Sequence, residues 1–288
     1  MATFATPDQL LVIIDPVART TDGESVRIAK DVLSAGAAAK VCLPEGPEEF
    51  ARMLDRRGSR RPVVVGDDRA LSRAVALLHR RRELADCVLS VVPVGGSLGV
   101  AHALGVPTGA VAAARAVLEG AERRLDLLVD DSDGVVLGAL RIPPVPLAPR
   151  DAPDGAAAPG GAHAHPWLRT CQHLVRTLVP ARPARGASAP PPPGPARLRV
   201  EVDGVTLVDL GQPVEEVAVT PDATGTATVE VRPLSLGAEA SPLEARGRTV
   251  TVSGADFRYR ADASVVGPVR RRTWTVLEGA LGLVLPGR

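Results

Sequence analysis

The chain has 288 residues, with 34 Lys and Arg set against 33 Asp and Glu. A net charge of +1 gives no basic footprint of a nucleic-acid binder, and three dispersed cysteines (Cys42, Cys87, Cys171) with no CxxC pair argue against a disulfide framework and a zinc site. No leader-like opening is seen and no apolar run reaches the roughly 18 residues of a membrane span, so a cytoplasmic protein is expected, one that meets a membrane only peripherally, at the inner face.

Aromatic residues are 2% of the chain, so Val, Leu and Ala must fill its cores. Leu10 to Ile14 (LLVII) is a short, continuously apolar run, which predicts a parallel strand buried on both faces and ending at Asp15-Pro16. Helical spacing follows from Glu24 to Leu33, then a strand at Ala39 to Leu43 and a helix at Pro47 to Leu54, with Glu48 and Glu49 near its positive end. Pro62 to Val65 predicts a third strand, Leu71 to His79 a helix, Val88 to Val92 a fourth strand and Thr108 to Leu118 a closing helix. This alternation implies a Rossmann-like, mostly parallel α/β domain over residues 1–122. Ligands of such sheets lie outside the strand carboxyl ends, where Asp15, the Gly66 turn and the Gly95 turn fall.

Beyond residue 122 the period changes to two. Arg124 to Val129 and Gly134 to Leu140 predict strands joined by Asp130-Asp131-Ser132-Asp133-Gly134, and Leu198, Val200 and Val202 alternate before the hairpin turn Asp203-Gly204. Further strands are expected at Glu216 to Thr220, Thr226 to Arg232, Thr249 to Ser253, Phe257 to Arg260 and Thr273 to Leu277, giving an antiparallel β-sandwich over residues 123–288. Two Pro-, Ala- and Gly-rich segments, 143–165 and 180–196, interrupt it and read as flexible, with an amphipathic helix at Trp167 to Leu178 between them.

Two glycine-containing turns after neighbouring strands carry the chemical interest. Phosphate oxygens need converging backbone N–H groups unobstructed by Cβ, and a nearby carboxylate can hold Mg²⁺. Each turn alone reads equally well as a plain βα connection. His163, His165 and His173 lack a carboxylate or thiol partner at ligand spacing, no serine sits in a GxSxG elbow, and Arg270-Arg271-Arg272 reads as a solvated strand end or, in the alternative, a basic patch near a lipid headgroup.

In order along the chain, these turns resemble the diacylglycerol kinase catalytic family, soluble bacterial lipid kinases that share their fold with NAD kinases. The family's strand ending in Asn-Pro corresponds to LLVIIDP, with Asp15 in place of Asn. Its Gly-Gly-Asp-Gly-Thr-Leu-Asn-Glu-Val corresponds to Gly66 through Ala74, where Gly66, Asp68 and Leu71 match and Asp67, Arg69, Ala70 and Arg73 differ. Its Pro-Leu-Gly-Thr-Gly-Asn-Asp stretch is similar to PVGGSLG, keeping Pro93 and Gly95 while Gly96, Ser97, Leu98 and Gly99 replace the polar set. Its Asp-Gly-Glu, two residues and Gly-Pro correspond to Asp262 through Pro268, with Ser264 replacing the glutamate, and LEGALGLVLP is similar to its closing strand.

The resemblance implies ATP- and Mg²⁺-dependent phosphoryl transfer to a lipid hydroxyl, such as that of diacylglycerol, at a membrane surface. It implies Asp262 as catalytic base, Asp68 as metal ligand, and Asp15, Gly66, Asp67, Asp68, Arg69, Gly95, Gly96 and Ser97 around the nucleotide, with a homodimer left open. The substitutions keep open the alternative, a non-catalytic member serving as a binding or regulatory module. Arg69 cannot take a positive φ without a cost of roughly 1 kcal/mol or more. Asp67 adds a charge that repels a triphosphate, and Ala70 lacks the hydroxyl that would bond a phosphate oxygen.

Overall fold

The computed structural model describes residues 9–144, 196–234 and 241–287, all within one compact unit. Four strands, β1 (Gln9–Ile14), β2 (Ala38–Cys42), β3 (Arg61–Gly66) and β4 (Ser90–Pro93), form a parallel sheet in the order β2-β1-β3-β4. The unbroken apolar run of β1 follows from its two faces. Leu11 and Ile13 join one core with Phe50 and Leu71, while Leu10, Val12 and Ile14 join another with Ala29, Leu33 and Ala113.

The expected helices form as α2 (Gly23–Gly36), α3 (Pro47–Asp55), α4 (Asp68–Arg80) and α6 (Ala110–Glu119). Two short ones were not anticipated, α1 (Pro16–Thr21) and α5 (Gly99–Ala103). Asp15 starts α1 by accepting from Val17 N–H, with Pro16 at its first position, a signal readable in the sequence as Asp-Pro.

The remaining strands are β5 (Ala121–Asp130), β6 (Val135–Val136), β7 (Leu140–Ile142), β8 (Ala196–Val202), β9 (Val205–Val208), β10 (Pro213–Pro221), β11 (Ala227–Pro233), β12 (Leu243–Gly247), β13 (Thr249–Ala261) and β14 (Ser264–Leu285). They form a separate, antiparallel, strand-rich region, linked by hydrogen bonds into one ten-stranded sheet. The two strands expected at Thr249 to Ser253 and Phe257 to Arg260 are one strand, β13, whose register against β14 shifts between Ser253 and Phe257. The 22-residue β14 runs far beyond the expected Thr273 to Leu277, turning at Gly279, where φ is +57°. The Trp167 to Leu178 helix and most of the two proline-rich stretches lie outside the described residues.

β14 also ties the two regions together. Leu89 N–H donates to Gly282 O at 2.8 Å and Val284 N–H donates to Leu89 O at 3.0 Å, so the parallel sheet abuts the antiparallel one. Leu127, Leu281 and Leu283 share a core with Leu71, Leu78 and Val100, which places the carboxyl end of β3 beside the β6–β7 connection.

Candidate functional site

The turn after β3 is built by Asp67. Its carboxylate Oδ1 accepts from Arg69 N–H and Ala70 N–H, both at 3.1 Å, and so caps α4. Asp68 N–H donates to Ser97 O at 2.9 Å, and Leu71 N–H donates to Asp67 O at 3.1 Å. The four amides from Asp68 to Leu71 therefore all have acceptors inside the protein. Arg69 lies in the first turn of α4 and escapes the positive φ that a phosphate-cradling loop would have asked of it.

The glycines of the two turns make room for close packing. A Cβ on Gly66 would stand 2.7 Å from the Ala70 Cβ and 3.0 Å from the Asp15 Cβ. Gly95, at φ +132°, would bring a Cβ to 3.1 Å from the Cβ of Asp67. Both glycines admit side chains of this protein where phosphate oxygens were expected. Gly96 is exposed with open space around it, and it holds no side chain of the site.

Asp15 and Arg73 form a matched pair. The buried Asp15 carboxylate accepts from Arg73 Nη1 at 2.8 Å, and the same guanidinium lies over the Phe50 ring, 5.8 Å from its centroid. Asp15 and Arg73 stand where the resembling sequences carry Asn and Glu, so one substitution supplies the partner of the other.

Asp68 and Asp262 are brought together from opposite ends of the chain. Asp68 is buried; its Oδ2 accepts from Ser97 Oγ at 2.8 Å and its Oδ1 from Ala101 N–H at 3.1 Å. Asp262, at φ +50° in the β13–β14 turn, accepts from the N–H groups of Leu137 and Gly138 at 2.7 Å each and of Ala139 at 3.2 Å. Burial pushes the Asp262 carboxyl up to about 6, the three amides restrain that rise, and the Asp68 charge adds to it. Those amides are free because the strand expected from Gly134 to Leu140 breaks into β6 and β7 around them. Sequence reading missed Leu137, Gly138, Ala139 and Ala101, which act through the backbone and leave no side-chain signal.

No protein-family model matches the sequence, and no curated protein matches it. The fold does have solved counterparts. Two structures from Bacillus anthracis str. Sterne, each described as a "putative diacylglycerol kinase", superimpose with a TM-score of 0.66 at 13% identity, over 98% of this chain and 98% of theirs. A third, described as a diacylglycerol kinase from the same organism, gives 0.66 at 12% identity with the same coverage. The chain has the fold of these structures. At that identity the likeness speaks for the architecture, and the chemistry has to be judged on the residues present.

The carboxylates of Asp15, Asp67, Asp68 and Asp262 each already accept two or three protein hydrogen bonds. Among the described residues no group of three His, Cys, Asp or Glu is disposed to hold a metal ion, and no helix is long and apolar enough to cross a membrane. Gly99 stands beside Asp68, its would-be Cβ 3.9 Å from Asp68 Oδ2, in the place where the resembling sequences put a further carboxylate.

Proposed function

We propose that this chain is a lipid-kinase-fold protein in which phosphoryl transfer has been given up, a non-catalytic binding or regulatory module. One observation carries the reading: the Asp67 carboxylate occupies the α4 amides, Arg69 N–H and Ala70 N–H, that a nucleotide phosphate would need. An anionic side chain bonded to a helix start satisfies the same donors and the same dipole as a phosphate, so it competes with one directly. Asp68 N–H and Leu71 N–H are engaged as well, so the four amides that open α4 all have acceptors inside the protein.

A second reading, an active ATP- and Mg²⁺-dependent kinase of a lipid hydroxyl, has one feature in its favour. Asp262 is a buried carboxyl raised to about 6, in the position that the resemblance gives to the catalytic base and close enough to Asp68 to feel its charge. Its three amide donors hold it toward the protein interior, which weighs against a role as base.

Thermal unfolding of the full chain with and without Mg-ATP decides between the two. Ligand at about 100 times its Kd stabilises a binding protein by roughly 2.7 kcal/mol, so a closed site leaves the melting temperature unmoved. Incubation with labelled ATP and vesicles of diacylglycerol, ceramide or sphingoid base is expected to give no labelled lipid. A labelled product lost in Asp262→Asn would overturn the non-catalytic reading and establish the kinase.

A further inference from the structure

The start of α4 is not the only anion site that this protein fills from within. The β6–β7 connection turns so that three successive amides meet on one side chain. Leu137 N–H donates to Asp262 Oδ2 at 2.7 Å, while Gly138 N–H at 2.7 Å and Ala139 N–H at 3.2 Å donate to Oδ1. Both oxygens of one carboxylate are thus read by backbone alone. Successive N–H groups that converge in this way form a nest, a concavity suited to anions and, among them, to carboxylates. Among the described residues the Asp262 carboxylate has no ion pair, so the three amides are what compensates its charge.

A plain clamp between β6–β7 and the β13–β14 turn does not need this chemistry. The backbone already ties the two segments, since Asp262 N–H donates to Ala139 O at 3.0 Å. Asp262 stands at φ +50°, a region that Asn tolerates equally well with no charge to bury. Asn offers one acceptor oxygen, however, where these amides address two. The carboxylate is kept although burial opposes its ionisation and the Asp68 charge acts on it as well. What it adds to the backbone tie is occupancy of the nest. The nest is also one side chain from solvent: Gly138 and Ala139 are half-buried, and Ser264 in the same turn is exposed. Gly138 leaves the approach free of a Cβ, which would lie 3.2 Å from Asp262 Oδ1.

We propose that residues 137–139 form a binding site for a small monocarboxylate, and that Asp262 is its built-in occupant, an internal ligand that keeps the site shut until the β13–β14 turn lifts away. Three amides disposed about two coplanar oxygens select the carboxylate group. The neighbouring charge of Asp68 selects against a dianion such as phosphate. A head the size of formate or acetate matches the space that one aspartate side chain fills. The proposal makes no use of the α4 amides and stands whether or not nucleotide binds there.

The test empties the nest and offers it a substitute. Asp262→Gly removes the occupant and suits the positive φ, and the full chain carrying it is melted in formate, acetate, phosphate and sodium chloride at matched ionic strength. Formate and acetate are expected to raise the melting temperature saturably, by roughly 2 °C or more, with phosphate no better than chloride. Formate is also expected to restore slow hydrogen exchange at the 137–139 amides. The wild type and Asp262→Asn, whose side chains fill the nest, are expected to show neither response. Should Asp262→Gly not fold in buffer, its refolding in formate but not in chloride reads the same occupancy. The proposal is overturned by equal effects of formate and chloride, by a phosphate effect matching that of formate, by unprotected amides in formate, or by a formate effect as large in the wild type.

Discussion

At the scale of single residues, the outcome turns on how each carboxylate is used. Asp67 is an N-cap, and replacing such a cap by alanine costs about 1 kcal/mol, so Asp67→Ala is expected to lower the unfolding free energy by that amount, seen as a lower urea midpoint with an unchanged slope. Asp262 is the reverse of the usual acid. Its folded-state value of about 6 lies above the ordinary 3.8 of an aspartate, so the native state binds more protons than the unfolded state between those limits. Its contribution is therefore full below pH 3.8 and is lost as pH rises through about 6. A shift of this size corresponds to about 3 kcal/mol as an upper bound. Urea unfolding at pH 4 and pH 7 is expected to show this decline in the wild type, and a smaller one in Asp262→Asn. Asp222, whose hydrogen bonds to Thr224 and Thr226 outweigh desolvation and lower it to about 2, acts in a separate window, its contribution lost as pH falls from 3.8 towards 2. That residues such as Asp68 and Asp262 matter was legible in the sequence. That their oxygens are spent on Ser97, Ala101 and the 137–139 backbone was not, because such bonds join separate parts of the chain, 29 and 33 residues apart for Asp68 and 123 to 125 apart for Asp262.

At the scale of elements, local pattern was the best guide. The Val-rich β3, the 3.6-residue stripe of α4 with Leu71, Ala74, Val75 and Leu78 inside, and the alternation of β8 are written in adjacent residues. What escaped notice is short or tertiary: five-residue α5, edge strand β12, and the length of β14, whose pairing with β5 and β13 carries it past its own turn residue. Gly120, the joint between α6 and β5, shows the limit of composition reading. Its φ is ordinary, yet a Cβ there would lie 2.3 Å from Ala116 O and 2.4 Å from Leu285 O. Both obstacles are backbone, so Gly120→Ala forces β14 and α6 apart, with an expected loss of roughly 1–3 kcal/mol in chemical denaturation.

At the scale of the whole molecule, the order of motifs along the chain pointed to an architecture that the solved structures share, although identity is only 12–13%. Order survives where side chains drift, because a sheet keeps its strand sequence while its loops are rewritten. The joining of the two regions by one apolar core has a thermodynamic consequence. Leu127, Leu281 and Leu283 lose their burial if the α/β part opens, and Leu71 and Leu78 lose theirs if the β part opens. Calorimetry and near-ultraviolet dichroism are therefore expected to report one cooperative transition for the described unit; two separated transitions would mean that the shared core contributes little.

The Asp15–Arg73 pair bears on how such a protein changes over time. Glutamate at position 73 with Asp15 in place would set two carboxylates against each other beside Phe50, and asparagine at position 15 alone would leave the Arg73 guanidinium without its charge partner. Each residue of the pair thus constrains which substitutions the other tolerates, so the two positions are expected to change together rather than one at a time.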